Sequence, residues 1–376
     1  MQSVAGKVST LAANQTFFGQ PDMVASDLAR YANVTKADVM RVFNTYIKNK
    51  PMVVMSIVPE GQTQLIAHAD NFIPTTMPIA QEAVTGLTDI TFAKSSFNRN
   101  KMPSSAAAPL LTVPQLWDSK LANGIEVMGT ESDETPTVEL LIYLDGGHRL
   151  DPANKAGLAE LTASMLNESS ELRSSEDLAG ALDMLGSSIS FGSSDSQSYI
   201  KVSSLTENLD ATLALVKERL FSPGFVAADF ERVKQQQLQG LQHQLSDANY
   251  LASTGFSALL YGENSPLGIS SDGTINTISA LTLDDVKQFY HQQYRAGNAQ
   301  MVVVSDLSQQ QIMPKLSMFA QWQGEATHFA ALPALPAHPK NIVYLIDKPG
   351  AAQSVINIGQ VSLPYDATGD FFKAYL

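Results

Sequence analysis

The stretch Leu281–Ser308, LTLDDVKQFYHQQYRAGNAQMVVVSDLS, occurs twice in outline along this chain. Its counterpart is Val34–Gly61, VTKADVMRVFNTYIKNKPMVVMSIVPEG. Thr282 answers Thr35, Asp285 answers Asp38, Val286 answers Val39 and Tyr290 answers Phe43; after a two-residue insertion, MVVVS from Met301 answers MVVMS from Met52. In both copies a Thr stands three residues before an Asp at the start of an amphipathic run, the pattern of a capping box. A short apolar strand follows each helix. The copies lie about 250 residues apart, too far for a solenoid and suited to tandem copies of a whole domain.

A second, weaker repeat surrounds the first. Gly124–Asp151, GIEVMGTESDETPTVELLIYLDGGHRLD, reads as strand, acidic loop, strand; Asn341–Asp366 reads as strand, turn, strand, with Lys348-Pro349-Gly350 as the turn. The chain ends on DFFKAYL, which reads as the start of a helix. These repeats predict four parts: the end of a preceding subdomain over 1–72, a Pro-rich linker over 73–112, a complete subdomain over 113–330, and the start of a following one over 331–376. The chain is therefore expected to be an internal piece of a longer protein.

Within the complete unit, a hairpin is expected over Leu116–Gly129 with Asn123-Gly124 at its turn. A strand is expected over Thr137–Leu144 and two more over Ile189–Leu205. Helices are expected over Lys155–Glu168, Ser175–Leu185 and Glu207–Pro223, the last with Asn208 as an N-cap, and over Val226–Gly262 with a break near Ser246–Asn249. Leu238, Leu241 and Leu245 give that last region its apolar stripe, and its Gln run reads as the wet face. This order of elements implies an α+β, two-layer unit of mostly antiparallel sheet packed on helices, repeated in tandem.

Composition narrows the function classes. The chain has 376 residues, a formal net charge of −13, 44% hydrophobic residues and no cysteine. Its acidity argues against nucleic acid as a partner, which needs clustered Lys and Arg. Thiolate metal sites and cysteine nucleophiles are excluded. No apolar run reaches the roughly 20 residues needed to span a bilayer. No two of the six histidines lie within five residues of each other, so no local zinc motif exists. His243 and His291 read as surface residues on helices. There is no GxGxxG, P-loop or GxSxG pattern.

One helix carries a pattern of interest. In Ala156–Ser169, AGLAELTASMLNES, the apolar face is Leu158, Leu161, Met165 and Leu166, while Glu160, Ala163 and Ser164 share another face at i, i+3 and i+4. That spacing suits two metal ligands and a base.

At this point the sequence resembles the pitrilysin/insulinase family of zinc metallopeptidases. GGHRLDPANKAGLAELTASML resembles the segment bearing the family's zinc helix, and the run from Ala258 to Val304 resembles its loop, capped helix and closing strand. The active form carries His-x-x-Glu-His, whose two His bind zinc with a Glu further along the chain, the inner Glu activating water. Here Glu160, Ala163 and Ser164 occupy those positions, and the region of the third ligand, Gln236–Leu241, holds no carboxylate. The resemblance implies a degenerate motif with no catalytic residue and no metal in this segment. It implies zinc in a missing N-terminal half, and a parent that is a zinc metalloendopeptidase. The segment itself would be an inactive half that encloses peptide and hinges against the zinc-bearing half. Its partners would be the rest of the parent chain and peptide substrate, and its compartment the periplasm. The alternative is a metal-free assembly subunit of the same family.

Overall fold

The computed structural model describes residues 4–69, 114–329, 331–338, 340–351 and 353–362, together with Asn71, Asn98, Lys101, Met102 and Gly369. The linker expected over 73–112 lies outside the described residues except at Asn98, Lys101 and Met102, and so does the helix expected at the C-terminal end. The chain divides into two compact units, Ser3–Thr112 and Val113–Leu376.

The first unit holds helices α1 (Val4–Phe18), α2 (Val24–Ala32) and α3 (Lys36–Val42), the last widening into a π-helical turn over Phe43–Ile47. The capping box forms: the Asp38 amide donates to Thr35 Oγ1 at 3.2 Å, and the Thr35 amide donates to Asp38 Oδ2 at 3.1 Å. The strand expected at Met52–Ser56 does not form among the described residues. The segment is exposed, with Val53 at 98%. Its apolar side chains have no neighbouring strand to pair with, and a strand alone satisfies none of its backbone groups.

The second unit is built on six strands: β1 (Leu116–Lys120), β2 (Glu126–Glu131), β3 (Thr137–Asp145), β4 (Ser188–Ser193), β5 (Gln197–Leu205) and β6 (Ala299–Ser305). Their order across the sheet is β1-β2-β6-β3-β5-β4, antiparallel throughout except where β6 lies parallel to β2. Helices α4 (Leu158–Leu166), α5 (Ser175–Leu185), α6 (Leu209–Phe221), α7 (Ala227–Gln244), α8 (Ala248–Tyr261), α9 (Ile275–Ala280), α10 (Leu283–Gln293) and α11 (Gln309–Leu316) complete the unit. This is the α+β fold expected from the sequence.

Strand alternation places the core. Along β6, Met301 and Val303 are buried while Val302 and Val304 are exposed. Two inward rows cross the sheet, Val127–Met301–Ile142–Ile200–Phe191 and Gly129–Val303–Leu140–Val202–Ile189. They join Leu161, Met165 and Leu166 of α4 in one core, each full burial stabilising by about 1.5–3 kcal/mol. Gly129 is required in the second row, because a Cβ there would stand 2.2 Å from the Trp117 ring.

Several boundaries shift for identifiable reasons. The β1–β2 turn closes at Asn123-Gly124 as expected, with Gly124 at φ +90°. The Asn123 side chain, however, reaches across to donate to the carbonyls of Phe319 and Trp322 at 2.9 and 2.8 Å. The long helical region breaks between α7 and α8, and Asp247 caps α8. Leu245 does not continue the apolar stripe and is exposed, whereas Leu241 is buried. Asn208 precedes α6 but makes no side-chain cap, since its amide donates to the Leu185 carbonyl at 2.9 Å. The helix expected over Lys155–Glu168 is shorter, Leu158–Leu166, because Gly157 is left-handed at φ +91°. A Cβ at Gly157 would also stand 2.8 Å from the Asp272 carbonyl oxygen. Thr282 and Asp285 form the second capping box, and Asp285 also accepts from Lys155 Nζ at 2.5 Å, tying α10 to the approach to α4.

Candidate functional site

The chain enters α4 through a sharp turn. β3 gives way to Gly146 and Gly147, at φ +138° and +54°, and then to His148. The His148 amide donates to the Ser194 carbonyl at 2.9 Å, pinning the turn to the tip of the β4–β5 hairpin. Its imidazole lies between Asp151 Oδ2 on Nδ1 at 2.9 Å and the Ile269 carbonyl on Nε2 at 3.1 Å. His148 and Asp151 are both buried. Asp151 then turns to the helix: Oδ2 accepts from the Gly157 amide at 2.8 Å and Oδ1 from the Ala159 amide at 2.9 Å. It thus satisfies donors at the helix start that Gly157 cannot cap with a side chain.

Burial disfavours the imidazolium, but the hydrogen bond and charge of Asp151 outweigh it, and the His148 pKa is raised. Burial likewise pushes the Asp151 carboxyl up, against the pull of His148 and the two amides. Every polar atom of this cluster has a partner, so it serves as a fixed entry to α4.

The three motif positions lie further along. Glu160 and Ser164 are half-buried, with Ser164 Oγ 3.5 Å from Glu160 Oε1. Ala163 is fully buried within the hydrophobic core, and its carbonyl accepts from Asn167 Nδ2 at 3.1 Å. The i, i+3, i+4 face therefore exists, but its middle member is packed over. Burial and the nearby Asp272 carboxylate raise the Glu160 pKa. No imidazole or guanidinium among the described residues is paired with it.

The region of the third ligand is on α7. Gln237 Nε2 donates to the Asp272 carbonyl at 3.0 Å, and Gln244 Nε2 donates to Asp272 Oδ2 at 3.2 Å. Amides thus bind the loop where a carboxylate would bind metal. The remaining Gln235, Gln236, Gln239 and Gln242 are exposed. No group of three or more His, Asp or Glu side chains among the described residues is placed to hold a metal ion.

His243 and His291 are exposed. Sequence reasoning missed the His148–Asp151 pair and Asp272. The signal for the pair was present in Gly-Gly-His-x-x-Asp before a helix opened by Gly, which needs a capping group from elsewhere. Nothing in the sequence connected Asp272 to Glu160.

The family model described as Insulinase (Peptidase family M16) matches residues 127–262, and that described as Peptidase M16 inactive domain matches residues 280–376. The Helicobacter pylori protein named non-peptidase homolog YmxG is 30% identical over 193 residues, covering 51% of this chain and 44% of that protein. A peptidase M16 inactive domain from Pseudomonas fluorescens is 28% identical with a TM-score of 0.55, covering 59% of this chain and 54% of that one. The periplasmic protease PqqL of Escherichia coli shares the fold, at 19% identity and a TM-score of 0.53, covering 60% of this chain and 26% of PqqL. The chain spans about half the length of the curated relative or less, 44%. No helix among the described residues is long and apolar enough to cross a membrane.

Proposed function

Since the chain belongs to the pitrilysin/insulinase family of peptidases and carries its inactive-domain signature, we propose that it encloses peptide substrate and hinges against a zinc-bearing half without cleaving peptide itself. The observation that carries the reading is on α4. The helix keeps its packing face, Leu158, Leu161, Met165 and Leu166, all buried, while Glu160, Ala163 and Ser164 replace two imidazoles and a base. Ala163 has no group to take a proton from water, Ser164 is a poor zinc ligand, and Glu160 alone does not make a three-ligand site. Zinc belongs, on this reading, to a half outside this sequence. A periplasmic location is part of the same proposal, supported by the named compartment of PqqL and by the absence of cysteine.

The test is capture without cleavage. An unfolded peptide carrying a photo-crosslinker should label the purified chain and be recovered intact. Cleavage abolished by a chelator would overturn the proposal.

A second reading is favoured by the similarity to a protein named as a non-peptidase homologue: a metal-free assembly subunit in which neither half is catalytic. No peptide labelling of the chain would favour it. So would an open reading frame with no His-x-x-Glu-His upstream of Met1.

A further inference from the structure

A cleft of about 420 Å³ opens between α8, the segment 266–271 and the tip of the β4–β5 hairpin. We infer that this cleft binds the side chain of a lysine in the enclosed peptide, its methylenes against the 266–269 wall and its ammonium at Asp195. The inference rests on the peptide-enclosing reading above and adds the chemistry of what is held.

The groups that line the cleft divide, as the parts of a lysine do, into apolar and polar. Pro266, Leu267 and Ile269 supply an apolar wall. Ser253, Ser257 and Tyr261, which also line it, recur at i, i+4 and i+8, so α8 turns a stripe of hydroxyls into the cleft. Thr254, beside them, is engaged with its own helix, Oγ1 donating to the Tyr250 carbonyl at 2.8 Å. The hydroxyls of Ser253, Ser257 and Tyr261 make no side-chain hydrogen bond to any described residue, which leaves their lone pairs for an incoming donor.

Charge is one-sided. Asp195 lines the cleft and no Lys or Arg does. The Asp195 carboxylate makes no ion pair among the described residues, although its charge reaches the His148 imidazole and favours the imidazolium there. Its backbone is fixed, because the Arg149 amide donates to the Asp195 carbonyl at 2.9 Å. His148 braces both walls at once, its amide on Ser194 and its imidazole on the Ile269 carbonyl. An alkyl stem with a compact three-donor head fits this division of apolar wall, hydroxyls and one carboxylate.

The experiment titrates the chain with Nα-acetyl-lysinamide and with Nα-acetyl-norleucinamide, its counterpart lacking the ammonium, following backbone amide resonances. The lysine probe should shift Asp195, Ser257 and Ser271 saturably. Norleucine should bind at least fivefold more weakly, and Asp195→Asn, an exposed hairpin-tip change that leaves the core untouched, should cost the lysine probe a similar factor. Tyr261→Phe should weaken the lysine probe less than Asp195→Asn does. Equal affinity for the two probes, no loss with Asp195→Asn, or no shift at all would overturn the inference. Those failures with crosslinked peptide still captured would leave enclosure standing; loss of peptide capture as well would remove both.

Discussion

The entry to α4 and the helix itself carry polar residues for opposite reasons. At its entry, His148 and Asp151 are buried and fully partnered, and Asp151 holds the first amides of the helix. In the first turn of the helix, Glu160 feels the charge of Asp272, another carboxylate, and its would-be companion Ala163 is sealed in the core. The first cluster is what the fold needs; the second is where chemistry would be in an active relative. On the proposed reading, a structure under no demand to bind metal keeps the former and lets the latter drift. The helix survives because its cap and its packing face do not depend on the ligands.

The sharpest way to break this contrast is Asp151→Ala. It leaves the buried His148 with the Ile269 carbonyl alone and uncaps α4, so unfolding free energy should fall by about 3–5 kcal/mol in denaturant titration. A loss under 1 kcal/mol would put the entry cluster on the same footing as the motif positions. Next comes Ala163→Glu, which puts a carboxyl back where the family's base stands. With Ala163 fully buried, overpacking alone should cost about 1–3 kcal/mol and an unpaired carboxyl more, so the variant should be destabilised rather than readied for chemistry.

His148→Gln is a smaller change with a pH signature. The native pKa of His148 is raised, so its stabilising contribution is complete below the unfolded value near 6.5 and is lost as pH rises through the native value. The gap between wild type and His148→Gln, of about 1–3 kcal/mol at pH 5.5, should therefore narrow as pH climbs above 6.5. A gap that widens with pH would reverse the assignment of charge to His148.

The smallest effect is at Glu160. Its raised pKa means that its stability contribution is complete below the unfolded value near 4.5 and is lost as pH rises through the raised native value, so at neutral pH its charge is a cost. Glu160→Gln should leave stability unchanged or raise it by about 0.5 kcal/mol at pH 7. A clear loss would mean that the carboxylate is held for a purpose.

The repeated stretch that opened the sequence shows how much was legible. Both capping boxes formed, at Thr35–Asp38 and Thr282–Asp285, because their hydrogen bonds close within four residues. The apolar run after each helix diverged. MVVVS became β6 because β2 and β3 stand on either side of it, whereas MVVMS stayed exposed with no ladder among the described residues. Periodicity gives a strand its faces but not its partners. The same limit applies at the site. Glu160, Ala163 and Ser164 could be read from one helix, while the like charge that acts on Glu160 is Asp272 and the brace for His148 is Ile269, each more than a hundred residues away along the chain. Asn208 and Leu245 misled for the complementary reason, since their local pattern was right and a distant acceptor or solvent took them instead.

The central claim, that the metal chemistry has left α4 while the fold remains, is tested most directly by metal content. The purified chain, dialysed against micromolar zinc and then buffer, is assayed for bound zinc by mass spectrometry beside its Glu160→Gln variant. Both should hold far less than one zinc per chain. One zinc per wild-type chain, lost in Glu160→Gln, would contradict the account.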